Sequence, residues 1–538
     1  MILSEQNIYI NAQSYSRALV DKIIGLASDP AIENIVLDGF SGMGGVTEGF
    51  SRLPNWLVIA CINHWDIAIQ THAKNHPDCL HMLEDFRIAD INIIQYMVTE
   101  IRKRNPNVKL HTWFSLECTN FSNAKGGQSR DADSRTLAEH VDRYVIDLAP
   151  DVIWIENVKE FQLWGPMVPK VIASKNGKKK TLYVSKDAEP DTFYTSLIED
   201  GYILHCPLVC SKKTDYKPGP WMIPCPHRKG KDFTAWKDYI ASLGYIPEIR
   251  LLNCADYGVP QCRIRLIIQF NIITLSANWP VQTNSKKGIK GLPKWKPVGP
   301  CLNLPIEGES VLSFKKRKGV LVPRIQSAAT IERLINGCNK HVIGKKEKNF
   351  VVNFNSSTVT SEGELIQNSG HSLNDTANTV TSRQGAALAT VHTDHGLDEP
   401  ARTQTANPKH FYLVNFQWFN NSFNPIENPA NTIIARMDKS PNYLITLETG
   451  EFAIEVFEND PPHYVKLKKY MAENGIIAIN MRMLHEIELL KIMSMDPATK
   501  LSKSSTANKK MIGNAVPPDL VEKLGAAWSN KLLTEKAA

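Results

Sequence analysis

The sequence predicts an α/β fold: a doubly wound, mostly parallel sheet, with a smaller β-rich domain inserted before the closing helices. Three observations predict it. Short apolar runs that end on turn residues recur along the first half of the chain. Helical patterns lie between several of them, which is how parallel strands are joined. Beyond about residue 275 the texture turns rich in Pro, Gly and Lys, and helical patterns return only near the end.

The elements follow in order. Residues 1–30 read as a short leading helical extension. Ile35-Val36-Leu37-Asp38 is a buried strand that runs into a glycine-rich turn, Gly39 to Gly45. Further strands are read at 57–62, 109–116, 151–155 and 265–270, and helices at 134–148 and 192–200. In such a sheet, ligands lie at the carboxyl ends of the strands. The catalytic part is therefore set at 31–275, the inserted domain at 276–475, and the return to the catalytic part at 476–538, with helices at 483–495 and 519–528. Two short segments, 170–180 and 206–232, read as insertions in the first part. Weakly similar stretches at 373–379, 397–403 and 426–432 each pair a turn with a β-prone run.

Composition narrows the class. The chain has 538 residues, 43% hydrophobic and 22% charged, which excludes a disordered or collagen-like protein and predicts two or three domains. It lacks an apolar run long enough to span a bilayer, so no membrane association is expected. Its first residues have no basic stretch followed by an apolar one, so no secretory signal is expected. Ten cysteines are too sparse for a disulfide scaffold and read as reduced thiols in the cytoplasm. The net charge is +7, and residues 276–350 alone hold 15 Lys and Arg against 4 Asp and Glu. Lysine runs at 286–287, 315–318 and 345–348 suit a polyanion, and equally a solvated surface.

Several motifs carry chemistry. The turn Gly42-Met43-Gly44-Gly45 exposes backbone amides to a ligand, but Thr47 stands where a dinucleotide fingerprint needs glycine. Cys118 follows an apolar strand, at the edge where reactive side chains gather. Glu156 tips the next strand, where partial desolvation raises a carboxyl pKa toward general-acid use. Arg263 and Arg265 sit two apart, on one face of a strand, and require anionic or carbonyl partners. Cys206, Cys210, Cys225 and His227 are zinc-type donors at an uncommon spacing; a Pro-rich loop explains them equally, and no metal site is assigned.

Taken in order, these motifs resemble the cytosine-C5-specific DNA methyltransferase family. Asp38 to Gly45 resembles its S-adenosyl-L-methionine (AdoMet) loop, Cys118-Thr119-Asn120-Phe121-Ser122 its nucleophile loop, and Glu156-Asn157-Val158 its Glu-Asn-Val. Gln261-x-Arg263-x-Arg265 and Gly513-Asn514-Ala515-Val516-Pro517-Pro518 match two further motifs, and Arg482-Met483-Leu484 with Glu486 is similar to the helix after the recognition domain. The resemblance implies a Rossmann-like AdoMet-dependent methyltransferase domain and a target recognition domain at 276–475. It implies methyl transfer from AdoMet, yielding S-adenosyl-L-homocysteine, to C5 of a flipped cytosine in double-stranded DNA. Cys118 would be the nucleophile, with Glu156, Arg263 and Arg265 as the other catalytic groups. Phe40, Gly42, Met43, Gly44, Gly45, His64, Trp65, Asp85, Phe86, Leu137, Asn514 and Val516 would hold the cofactor.

The sequence departs from the family at Glu117 and Thr119, which flank the cysteine where Pro and Gln are usual, and at His64, which takes the place of the ribose-binding acid. Alternative readings are an RNA cytosine-C5 methyltransferase and a catalytically lapsed DNA-binding protein. The expected setting is a monomer in a bacterial or phage-infected cytoplasm, with a companion restriction endonuclease left open.

Overall fold

A computed structural model describes residues 13–116, 137–169, 227–343, 371–378, 386–393 and 460–537, apart from isolated positions, together with short strands elsewhere. The chain opens on short strands at 2–3, 7–10 and 13–16 rather than on a helix alone. Helix α1 (Arg17–Ala27) follows, capped by Ser16 and burying Val20, Ile23, Ile24 and Ala27 on one stripe.

Seven strands form the central sheet: β1 (Asn34–Gly39), β2 (Trp56–Asn63), β3 (Leu80–Leu83), β4 (Lys109–Ser115), β5 (Val152–Asn157), β6 (Tyr245–Asn253) and β7 (Ile264–Ile272). Their spatial order is β6-β7-β5-β4-β1-β2-β3. β1 to β5 pair in parallel, whereas β7 runs against both of its neighbours. Helices α2 (Gly45–Ser51), α3 (Asp66–Asn75), α4 (Asn92–Arg104), α5 (Val141–Leu148) and α6 (Lys231–Ser242) connect the strands.

Both faces of the sheet are covered, and strand alternation sorts the residues. Ile35, Leu37, Phe114, Ile155 and Leu266 face one core with α1, α4, α5 and α6. Val36, Trp113, Trp154 and Ile267 face the other, against α2, α3 and the last helix, α11 (Pro518–Ala537). This is the doubly wound sheet that the sequence predicts. One expected helix fails: Tyr194–Glu199 is a strand, paired antiparallel with Tyr202–Pro207. No helix among the described residues is long and apolar enough to cross a membrane.

A second, antiparallel sheet contains β8 (Glu309–Ser310), β9 (Asn349–Asn353), β10 (His371–Ser372), β11 (Ala386–Thr393) and β12 (Ile476–Met483), in the order β8-β12-β11-β9-β10. Helices α7 (Ala328–His341) and α8 (Pro462–Glu473) pack on it through Leu334, Cys338, Tyr464 and Met471. The sequence set the return to the first domain at 476. The structure pairs β12, from Ile476 to Met483, within the second sheet, and α9 (Glu486–Ile492) and α10 (Ser505–Asn514) follow it. The copies at 397–403 and 426–432 and the lysine run at 345–348 lie outside the described residues.

Inside the tryptophan-lined core, His111 is fully buried. Trp154 Nε1 donates to its Nδ1 at 3.1 Å, and Asn34 Oδ1 lies 3.0 Å from its Nε2, so the ring is neutral with its hydrogen on Nε2. Burial, helped by Lys109, pushes its pKa from 6.5 down to about 3. The unfolded imidazole therefore takes up a proton first as pH falls. Its contribution to stability is complete above pH 6.5 and declines toward about pH 3, by about 1.4 kcal/mol per pH unit inside that window. Urea unfolding followed against pH is expected to show a shallower acid slope for His111→Gln than for the parent chain; parallel curves would contradict the neutral-histidine account.

Candidate active site at the strand ends

The parallel strands deliver their last residues to one rim of the sheet. Because β7 runs the other way, it delivers its first residues to that same rim. Glu156 ends β5 and Arg265 begins β7, and both are buried. Arg265 Nε lies 2.8 Å from Glu156 Oε1, and Arg265 Nη1 donates to the Ile264 carbonyl at 2.8 Å. A nearly dry carboxylate is tolerable only with such a partner. Asn157 Nδ2 donates to the Leu116 carbonyl at 3.3 Å, tying the end of β5 to the end of β4. Cys118, with Glu117 and Thr119, lies outside the described residues.

Arg263 is also buried, but it does not join Glu156. Its Nη1 and Nη2 donate to the carbonyls of Gly513 and Ala515 at 3.2 and 3.1 Å, across a separation of about 250 residues. It thereby braces the turn after α10. The sequence expects it beside Arg265 as a catalytic group; the structure places its guanidinium against these two carbonyls.

The glycine turn follows β1. Gly42 has φ +56°, and a Cβ there would meet nothing within 4 Å, so its backbone faces open space. Gly45 is the opposite: a Cβ would lie 2.3 Å from the Val516 carbonyl oxygen. The segment 513–518 therefore rests directly on the turn. Asn514 is exposed there.

The other expected cofactor residues divide. Phe40 has φ +62° and tilts against Phe86, with ring centroids 4.5 Å apart. Phe86 itself is buried and stacks on Tyr144 at 4.3 Å. Met43 is buried among Leu489, Met493 and Met511. The side chains of Phe86 and Met43 belong to the core, which leaves only their backbone for a ligand. His64 is exposed beyond β2. Trp65 opens α3, and Lys510 Nζ sits 4.6 Å from its ring centre. Asp85 follows β3 and is paired through both oxygens with Arg87, at 3.0 and 2.6 Å. Those hydrogen bonds hold its pKa down to about 2. Leu137 begins the turn of 3-10 helix before α5 and is partly exposed.

The closing segment has its own ion pair. Arg482 meets Glu488 at 2.7 and 2.8 Å, rather than Glu486, and both are buried. Glu488 also accepts from the backbone of His485, which caps α9. Sequence reading did not single out Glu488, because its burial depends on a distant carbonyl-rich loop that gives Arg482 its other bonds, at Asn303 and Ile306.

The chain belongs to the C-5 cytosine-specific DNA methylase family: the family model matches residues 35–164 and 225–530, most of its length. The unmatched interval, 165–224, contains the hairpin at 194–207 and most of the two segments read as insertions. Solved structures similar to this chain include a prophage-encoded protein of E. coli described as a DNA modification methyltransferase, with 14% identity, TM-score 0.41, and coverage of 93% of this chain and 99% of that one. The methyltransferase EhMeth of Entamoeba histolytica matches with 11% identity, TM-score 0.41 and coverage of 93% and 99%. The Dnmt2 methyltransferase of S. pombe matches with 10% identity, TM-score 0.42 and coverage of 93% and 98%. A search of curated proteins finds no match. The protein is thus a methyltransferase by family, with the mixed α/β fold of that class.

The contact between Gly45 and Val516 can be tested directly. Gly45→Ala is expected to lower the unfolding free energy by about 1–3 kcal/mol, as overpacking does. Amide exchange over 515–521 should rise with it; unchanged exchange would mean that the turn and the closing segment are not in contact.

Proposed function

We propose that the protein transfers a methyl group from AdoMet to C5 of a cytosine in duplex DNA. The observation that carries this reading is the buried Glu156–Arg265 pair at the strand-end rim. Cytosine C5 is a poor nucleophile. Attack by the Cys118 thiolate on C6 forms a carbon–sulfur bond and shifts the ring electrons to C5, which then takes the methyl. Glu156 suits N3 of the ring, where it shares or donates a proton, and Arg265 suits the developing charge at O2. Loss of the C5 proton then expels the cysteine and restores the ring.

Chain connectivity supports this grouping. Ser115 is the register partner of Glu156, and three further residues of chain span at most about 11 Å. The Asn157 bond to Leu116 fixes where that reach begins. Arg263 acts one step removed, by holding 513–515 against the turn.

Bound AdoMet supplies an electrophilic methyl group. The glycine turn fits it: Gly42 presents backbone with open space above, and Phe40 offers an aromatic face beside it. His64, Trp65, Asp85, Leu137 and Asn514 are the remaining candidate contacts, with Met43, Gly44, Gly45, Phe86 and Val516 contributing backbone or shape. Asp85 would have to share its oxygens with Arg87.

The target cytosine must leave the duplex to reach such a site, at a cost of a few kcal/mol. We assign residues 276–475, extended to the end of β12, as the part that grips and reads DNA. An exposed ribbon, Phe314–Arg317 with Val320–Pro323, presents Lys315, Lys316, Arg317 and Lys318 to solvent and suits phosphate contacts.

Cys118→Ala is expected to abolish methyl transfer from labelled AdoMet while leaving AdoMet binding, measured by calorimetry, within about threefold. DNA carrying 5-fluorocytosine should trap a covalent adduct with the parent chain and none with the variant. RNA methylated in place of DNA in a parallel assay would overturn the substrate. Replacing Lys315 and Lys316 by Glu should weaken DNA binding uniformly across sequences and lower its salt dependence; an unchanged salt slope would remove the ribbon from the interface.

A further inference from the structure

Behind the glycine turn lies a cluster that the methyl-transfer chemistry does not use. Cys61 is in β2, His72 in α3 and His81 in β3. Cys61 and His72 are fully buried, and His81 is partly exposed. Three different elements thus aim a thiol and two imidazoles at one point, with all their donor atoms within 4.8 Å of one another. Cys61 Sγ lies 3.8 Å from His72 Nδ1, and His72 Nδ1 lies 2.9 Å from His81 Nε2. Donors around a tetrahedral zinc ion, at about 2.3 Å for sulfur and about 2.0 Å for nitrogen, stand about 3.3–3.8 Å apart.

The surroundings set the tautomer that ligation needs. Thr47 Oγ1 donates to Asp38 Oδ2 at 2.9 Å and lies 3.0 Å from His72 Nε2. With its one proton directed at Asp38, the hydroxyl accepts from His72, so Nε2 carries the hydrogen. Nδ1 is left with a lone pair facing Cys61 and His81. A histidine oriented from behind by a hydroxyl and a carboxylate is the usual support for a metal ligand. Cys79 is buried one residue before β3, where its Sγ donates to the Leu80 carbonyl at 3.6 Å, and neither thiol is in a disulfide.

We propose that Cys61, His72 and His81 bind a zinc ion, fastening α3 to β2 and β3 directly behind the glycine turn. Binding releases the Cys61 thiol proton and leaves the ion's oxidation state unchanged. The ion is structural: His72 and His76 cover the turn at Gly44, so its occupancy fixes the floor on which the turn rests.

The test uses the full-length chain under reducing conditions. Elemental analysis of the purified protein should give one zinc per chain. Chelator-treated protein refilled with Co2+ should show thiolate charge-transfer absorption together with the visible bands of a tetrahedral field. Both signals should be lost in Cys61→Ser and in His81→Asn, the latter placed at the exposed edge so that folding, checked by circular dichroism, is retained. Cys225→Ser, at the spacing first weighed for zinc, should keep them. Zinc removal should lower the melting temperature of the parent and leave His81→Asn unmoved. Absence of metal from the parent, or a cobalt spectrum that persists in both ligand variants, would overturn the proposal.

Discussion

The structure depends on a backbone-to-backbone approach. The Val516 carbonyl sits where any side chain at Gly45 would have to be. That contact joins the first helix of the catalytic sheet to a segment more than 450 residues later in the chain, and it continues at Gly49, where a Cβ would lie 2.6 Å from Val521. Around it α2 and α11 close over the tryptophan-lined face of the sheet. Arg263 braces the same segment from the other side. The glycine turn is thus held by packing below and by a charged clamp behind, while Gly42 keeps one side open.

Charge is distributed in the same economical way. Among the described residues, three sets of buried ionic groups have partners: Glu156 with Arg265, Arg482 with Glu488, and Arg263 with carbonyl oxygens. Removing one member would strand the other in a dry environment, which costs more than the pair contributes. The rim is therefore preorganised, and a substrate meets groups that are already oriented.

Much of this was legible in the sequence. Apolar runs located β1, β2, β4, β5 and β7, because buried parallel strands need continuous hydrophobic stretches. The order of motifs placed Gly42, Glu156, Arg265 and Val516 around one rim, and the structure brings them to the strand ends. Less was legible where long-range contact decides. Arg263 and Arg265 share strand parity, yet one finds a carboxylate and the other a distant pair of carbonyls. Phe86 reads as a cofactor residue by position, and its stacking on Tyr144 could not be read from the sequence. The 192–200 stretch reads as helical, and its neighbour across a tight turn makes it a hairpin strand. The donors Cys61, His72 and His81 follow no recognisable spacing, since they meet only when β2, α3 and β3 are assembled.

Gln261–Cys262 pairs in parallel with Ala377–Asn378, and the Ala377 N–H donates to the Pro260 carbonyl at 3.0 Å. Ala377 and Leu388 share an apolar cluster with Met43 and Leu490. Residues 377–378 and Leu388 are consequently joined to segments of the first half of the chain by backbone pairing and apolar packing. A chimaera that exchanged residues 276–475 as a cassette would tear this seam. A graft that kept the fold would leave 371–378 and β11 in place and alter only the outlying ribbon and loops.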